Sequence, residues 1–247
     1  MLFDLLRAGH YDGSLICAHA LTDNEGLSSM QLDPLHVIIA LGPLAAYLFL
    51  LGLINLSRRP LVTTGARDVA ALGLAVIGLI FVGPAALFLP DAAIVELGWY
   101  AWLMMGAFYG LLLTLGVLLL RPRLVIYNVT ADQLRPALAS VVAELDRDAR
   151  WAGESLVLPN LGVQLHVEPV SSTRNAELIS SGPNQNYSGW RALEVALTRA
   201  LRRTTNSPNP YAIFPLSCGL LMGLLVAFLT FSNPGLVAQS LIEMFRL

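Results

Sequence analysis

Four times along this chain, apolar residues run on for about the length of a membrane-crossing helix without a single Asp, Glu, Lys or Arg. The runs are residues 35–56, 69–89, 99–120 and 211–232. A hydrocarbon core near 30 Å needs about twenty helical residues, and each run meets that length. The pattern predicts an α-helical polytopic membrane protein with four transmembrane helices. Aromatic residues stand where a bilayer interface would place them: Trp99, Tyr100 and Trp102 open the third run, and Tyr211 opens the fourth. Pro43, Pro84 and Pro215 fall inside runs. Gly106 and Gly110 in the third run, and Gly219 and Gly223 in the fourth, have GxxxG spacing. That spacing lets backbones approach closely, so the third and fourth helices are expected to meet through these faces, with homo-oligomerisation as the alternative use.

The period changes in residues 121–208. Leu124–Val129 reads as a strand. Thr130 and Gln133 have capping-box spacing at the head of a helix to about Arg150, with Leu134, Leu138, Val141, Val142 and Leu145 on one face. Ser155–Pro159 and Val163–Glu168 read as strands joined at Asn160-Leu161-Gly162, the second alternating Val163, Leu165 and Val167 with Gln164, His166 and Glu168. A strand around Ala176–Ser180 follows. A last helix, with Ser188 as its expected cap, presents Trp190, Leu193, Leu197 and Leu201. The order βαβββα predicts an inserted α+β domain, a ferredoxin-like sandwich with two helices on one face of a sheet.

Two segments remain. Residues 1–34 are polar and acidic, and Met30, just ahead of the first run, is an alternative translation start. Residues 235–247 are too short to span and have the spacing of an amphipathic tail helix.

Arginine gives the expected sidedness. Arg58, Arg59 and Arg67 lie between the first and second runs; Arg121, Arg123, Arg199, Arg202 and Arg203 flank the insert. The loop between the second and third runs holds Asp91 and Glu96 and no base. Alternating spans put every arginine-rich segment on one side. The positive-inside rule makes that side cytoplasmic, with both termini outside and the chain in the cell (inner) membrane.

Composition narrows the chemistry. Of 247 residues, 55% are hydrophobic and 13% charged, and mean hydropathy is +0.64. A net charge of −2 gives nucleic-acid binding no electrostatic support. All 15 basic residues are Arg, which excludes a Schiff-base lysine or a phosphate-loop lysine within this chain. Cys17 and Cys218 read as free thiols.

Few residues suggest chemistry. Asp33 and His36 read as a helix cap and an interfacial residue rather than as cation ligands. His166 shares a polar strand face with Gln164 and Glu168. Glu144, Asp146, Asp148 and Glu154 read as a solvated helix end. Asn184, Asn186, Tyr187 and Trp190 open a helix whose first amides can receive an anion, so they and His166 are the candidate partner or ligand contacts. Arg58, Arg59, Arg121, Arg123, Arg202 and Arg203 are the candidate lipid-headgroup contacts. No catalytic, cofactor or metal residues are assigned. The expected function is a non-enzymatic anchor, assembly or accessory subunit that binds a protein partner through its cytoplasmic domain. A transporter or channel subunit is the first alternative, and a membrane enzyme or ligand sensor the second.

Overall fold

The structure, a computed structural model, describes residues 34–83, 97–170, 174–202, 204 and 209–244. Four helices among them are long and apolar enough to cross a membrane: α1 (Pro34–Leu56), α2 (Gly65–Val82), α3 (Trp99–Leu119), and a last span that starts in a 3-10 turn at Pro210–Ala212 and continues as a helix, Ile213–Ser232. Their outward faces are studded with exposed Leu, Phe and Met, such as Leu111, Leu118, Leu119, Phe214 and Phe231. In a bilayer these side chains meet acyl chains instead of water.

Small residues decide which spans touch. Helix α1 packs against both the fourth span and α2. A Cβ at Gly219 would lie 2.5 Å from the Phe49 nitrogen and 2.9 Å from the Ala45 oxygen of α1, and one at Gly52 would strike the Leu216 backbone. A Cβ at Gly78 would run into the Ile39 carbonyl, so α1 and α2 are equally close. Helices α2 and α3 are joined by the Tyr109 hydroxyl, which donates to the Gly73 carbonyl at 2.7 Å, and by stacking of Phe81 on Trp102 at 6.2 Å. The expected meeting of third and fourth spans through their GxxxG faces is therefore corrected. Gly219 is taken by α1, Gly106 approaches Phe81 of α2, and nothing lies within 4 Å of a Cβ at Gly110 or Gly223. Spacing alone reports that two backbones can approach, not which two.

The insert forms β2 (Arg123–Tyr127), α4 (Ala131–Leu145), β3 (Arg150–Ala152), β4 (Ser155–Leu158), β5 (Val163–Val170), β6 (Asn175–Ser180) and α5 (Tyr187–Leu201). A strand from outside it, β1 (Leu61–Thr64), completes one antiparallel sheet of order β1-β2-β6-β5-β4-β3. Four antiparallel steps separate β2 from β3, so the two strands joined by α4 run the same way with three strands between them. The α+β architecture is as expected, but the sheet is wider than the expected βαβββα by β3 and β1. Helices α4 and α5 cover one face. The core there joins Leu134, Leu138 and Val142 of α4, Trp190, Leu193 and Leu197 of α5, and the inward residues Ile126, Leu156, Leu165 and Leu178 of the sheet.

Local chemistry sets the boundaries. The capping box at Thr130 is present, with the Gln133 side chain accepting from the Thr130 N–H at 3.3 Å. Asn128 ends β2 in the left-handed region at φ 58°, a conformation Asn tolerates better than most residues. Helix α4 stops at Leu145, not near Arg150, because the Asp146 carboxylate turns back to accept from the N–H of Asp148 and of Asn160. Asn186, not Ser188, caps α5: its side-chain oxygen accepts from the Ser188 N–H at 3.0 Å. The tail forms the helix α7 (Pro234–Met244), after the last span, α6 (Ile213–Ser232).

The pairing of β1 with β2 has a topological meaning. Leu61 faces Tyr127 and Thr64 faces Leu124, so the loop after α1 and the insert after α3 belong to one sheet and lie on one side of the spans.

Candidate functional site

The site lies where the sheet meets the spans. Helix α3 ends at Leu119, and Leu120-Arg121-Pro122 carries the chain straight into β2. On the neighbouring strand, Thr64 closes β1 and caps α2, its hydroxyl accepting from the Arg67 N–H at 3.3 Å. Helix α5 starts beside them. Its first turns are held by the Gln185 side chain, which accepts from the Trp190 indole at 2.8 Å and donates to the Gln164 carbonyl at 3.0 Å. The meeting of these ends leaves a groove of about 570 Å³.

Two chemistries line the groove. Val117, Leu118 and Leu120 form an apolar wall continuous with the flank of α3. Arg67, Arg121, Arg123 and Arg191 bring positive charge, against Glu194 alone among acidic lining residues. Arg67 is ion-paired with Glu194 at 2.8 Å, and Arg123 with Glu177 at 3.3 Å. Arg121 and Arg191 have no acidic partner among the described residues. The Arg123 Nε–H is buried without a hydrogen-bond partner. Tyr187 is 71% exposed at the rim, whereas Trp190 is 5% exposed and gives the groove an inner wall.

A second set of contacts fixes the sheet to the start of α2 and to the chain just after α1. The Tyr127 hydroxyl hydrogen-bonds the Asp68 carboxylate, and the Asn128 amide donates to the Ser57 carbonyl. Burial first, and then the hydrogen bond and charge of Asp68, push the Tyr127 phenol well above its ordinary value, so it is a fixed donor. Gly65 opens α2 flush against the Arg123 stem, where a Cβ would collide. Neither Asp68 nor Tyr127 was among the expected contacts. Asp68 is the acidic residue that sits one position ahead of the second apolar run, and an Asp in a first helical turn reads as ordinary capping charge.

The expected contacts separate into groups. Tyr187, Trp190, Arg121 and Arg123 come together in the groove. Asn186 is occupied as a cap, its side chain also accepting from the Ser188 hydroxyl at 2.7 Å, while Asn184 is exposed beside it. His166 stands on the other face of the sheet from Trp190, exposed, with its Nδ1 3.2 Å from the Ser155 hydroxyl. It is not part of the groove. Arg58, Arg59 and Arg202 are exposed outside it, and Arg203 lies outside the described residues, as do Asp33 and Cys17. Sequence reasoning missed Arg67, Arg191 and Glu194 as groove residues; the spacing of Arg191 and Glu194 from Tyr187 along one helix was the available signal.

The acidic stretch also resolves. Asp146 is buried at 2% exposure, and its two oxygens accept from the Asp148 N–H, the Asn160 N–H and the Asn160 side chain at 2.7–3.0 Å. Burial alone would raise its pKa, but these donors, with the Leu161 N–H, outweigh that and hold it below the usual carboxylate range. It is a structural anion tying the end of α4 to the β4–β5 turn, not part of a solvated end. A shallow apolar cleft of about 320 Å³ between α1 and α6, floored by Gly42, Gly219 and Gly223, faces the bilayer region.

No family model matches the chain, and no curated protein and no solved structure is significantly similar to it.

Proposed function

We propose that this chain is a multi-pass, non-enzymatic protein of the cell (inner) membrane that acts as an anchor, assembly or accessory subunit. Its insert lies in the cytoplasm, both termini lie outside, and the α+β domain binds a protein partner. The observation that carries the reading is the double attachment of the sheet to the spans. Strand β1 and the Tyr127–Asp68 contact hold the domain to α2, and β2 continues from α3 with two residues of linker after Leu120. A domain tethered to two spans is presented in one pose, which suits a docking platform better than a swinging catalytic domain. Two strands beyond β2, the sheet face that meets α2 at Tyr127 is open and polar, with Gln164, His166 and Glu168 exposed, and the far edge strand, β3, exposes Trp151. Edge strands and exposed aromatics are what partner proteins commonly use.

Affinity purification from native membranes in mild detergent tests this. A stoichiometric protein partner, lost on His166→Glu or Trp151→Ala, is the expected result. A chain that always elutes alone would overturn the reading. The alternative of a ligand sensor is favoured by one observation, the arginine-lined groove.

A further inference from the structure

We infer that the groove between α3, β2 and α5 is a binding site for an anionic phospholipid, with the headgroup phosphate held by Arg121 and Arg191 and an acyl chain along α3. The inference rests on the membrane-spanning reading of the four helices but not on a protein partner.

Charge comes first. Of the four lining arginines, Arg67 and Arg123 already face Glu194 and Glu177, so the uncompensated charge is that of Arg121 and Arg191. Two spare guanidinium groups beside one cavity match the charge and oxygen geometry of a phosphate. Packing holds these groups in place. The stem of Arg123 lies against the Gly65 backbone, which fixes it in the groove wall beside Arg121. Helix α5 adds a third contribution, since Tyr187, Trp190 and Arg191 from its first turns line the same space and its N-terminal end favours an anion.

The apolar wall selects the kind of phosphate. Val117, Leu118 and Leu120 belong to the end of α3, and Leu118 is 73% exposed. In a bilayer that wall meets acyl chains, which a soluble phosphate compound does not have. A phospholipid would cover it, because its acyl chain runs in the direction of the span while its headgroup lies at the level of the arginines. Tyr187 at the rim has the amphipathic ring that belongs at headgroup depth.

The full-length chain, purified in detergent and delipidated, is tested in nanodiscs of phosphatidylcholine with and without phosphatidylglycerol, with bound lipid read by native mass spectrometry. Retention of phosphatidylglycerol over phosphatidylcholine is expected. Arg121→Gln with Arg191→Gln should weaken it roughly thirty-fold, about one surface-charge increment per arginine. Arg58→Gln with Arg59→Gln removes the same charge outside the groove and should leave retention near wild type. Equal losses in the two double variants would overturn the groove in favour of general surface charge. Displacement of the lipid by millimolar inorganic phosphate would overturn the lipid as the source and assign the site to a soluble anion. If the groove variant does not fold, a photoactivatable phosphatidylglycerol on the wild-type chain decides. Crosslinks to the peptides holding Leu118–Arg123 or Tyr187–Arg191 are expected, and crosslinks elsewhere would sink the proposal. Lipid is read on the chain alone, so a missing protein partner would leave this result standing, and a failed lipid assay would leave the partner purification unaffected.

Discussion

At the scale of single residues, two carboxylates carry more of the structure than their surroundings in the sequence suggest. Asp68 receives the Tyr127 hydroxyl across the junction of sheet and span. A hydrogen bond to a charged group contributes about 2 kcal/mol, so Tyr127→Phe should lower thermal stability by that order while leaving the spans inserted. Differential scanning fluorimetry in detergent measures it. Asp146 has a depressed pKa in the folded chain, so the stability it contributes is present above the unfolded Asp value of about 3.9 and is lost as pH falls through the lower folded value. The melting temperature should therefore drop on acidification below about pH 4. Asp146→Asn should show a flatter acid limb, whereas equal slopes in the two proteins would remove Asp146 from the account. Neither role was legible in the sequence. The reading of Asp146 as solvated failed because, beside the local Asp148 N–H, its donors come from Asn160, beyond the next two strands, and no local pattern announces a partner 14 residues away.

At the scale of elements, the second span starts four residues before its uncharged run, at Gly65, because Arg67 and Asp68 sit in its first turn, and residues 84–89 of that run lie outside the described residues. The first, third and fourth spans were legible almost to the residue, because the absence of charge is a property of each stretch by itself. So were the capping box at Thr130 and the buried stripe of α5, both set by spacing within one helix. Pairing was not legible. The two GxxxG sites looked alike, yet Gly219 lies against the α1 backbone and Gly110 lies against nothing. Gly219→Leu should separate α1 from α6 and cost about 1–3 kcal/mol or prevent folded protein from being recovered. Gly110→Leu should leave the melting temperature unchanged. A shift from dimer to monomer in Gly110→Leu, seen by light scattering, would instead assign that face to self-association. Strands β1 and β3 were missed because each is too short to show a period. Leu61–Thr64 has only four residues and Arg150–Ala152 only three, and their register comes entirely from β2 and β4.

At the scale of the whole molecule, the sheet ties together segments that the linear pattern keeps apart. The groove was half visible beforehand. Tyr187, Trp190, Arg121 and Arg123 were each singled out, but as two separate groups, and only the juxtaposition of α3 with α5 makes them one site. The same geometry puts the two arginine-rich loops on one side, and sidedness can be checked by membrane-impermeant thiol labelling of a chain in which Cys17 and Cys218 are first replaced. Ser140→Cys, on the exposed side of α4, should react only after the membrane is opened, and Ser232→Cys, at the end of α6, should react in intact cells. The reverse pattern would invert the orientation. Strand β1 also carries a consequence for biogenesis. It leaves the ribosome ahead of α2 and α3, but its partner β2 is made only after both. The sheet can therefore reach its full width only once the middle two spans have been threaded through the bilayer. Completion of the soluble domain becomes a record of successful insertion: a chain that stalls or inverts during threading keeps β2 as a bare edge, open to capture by quality control.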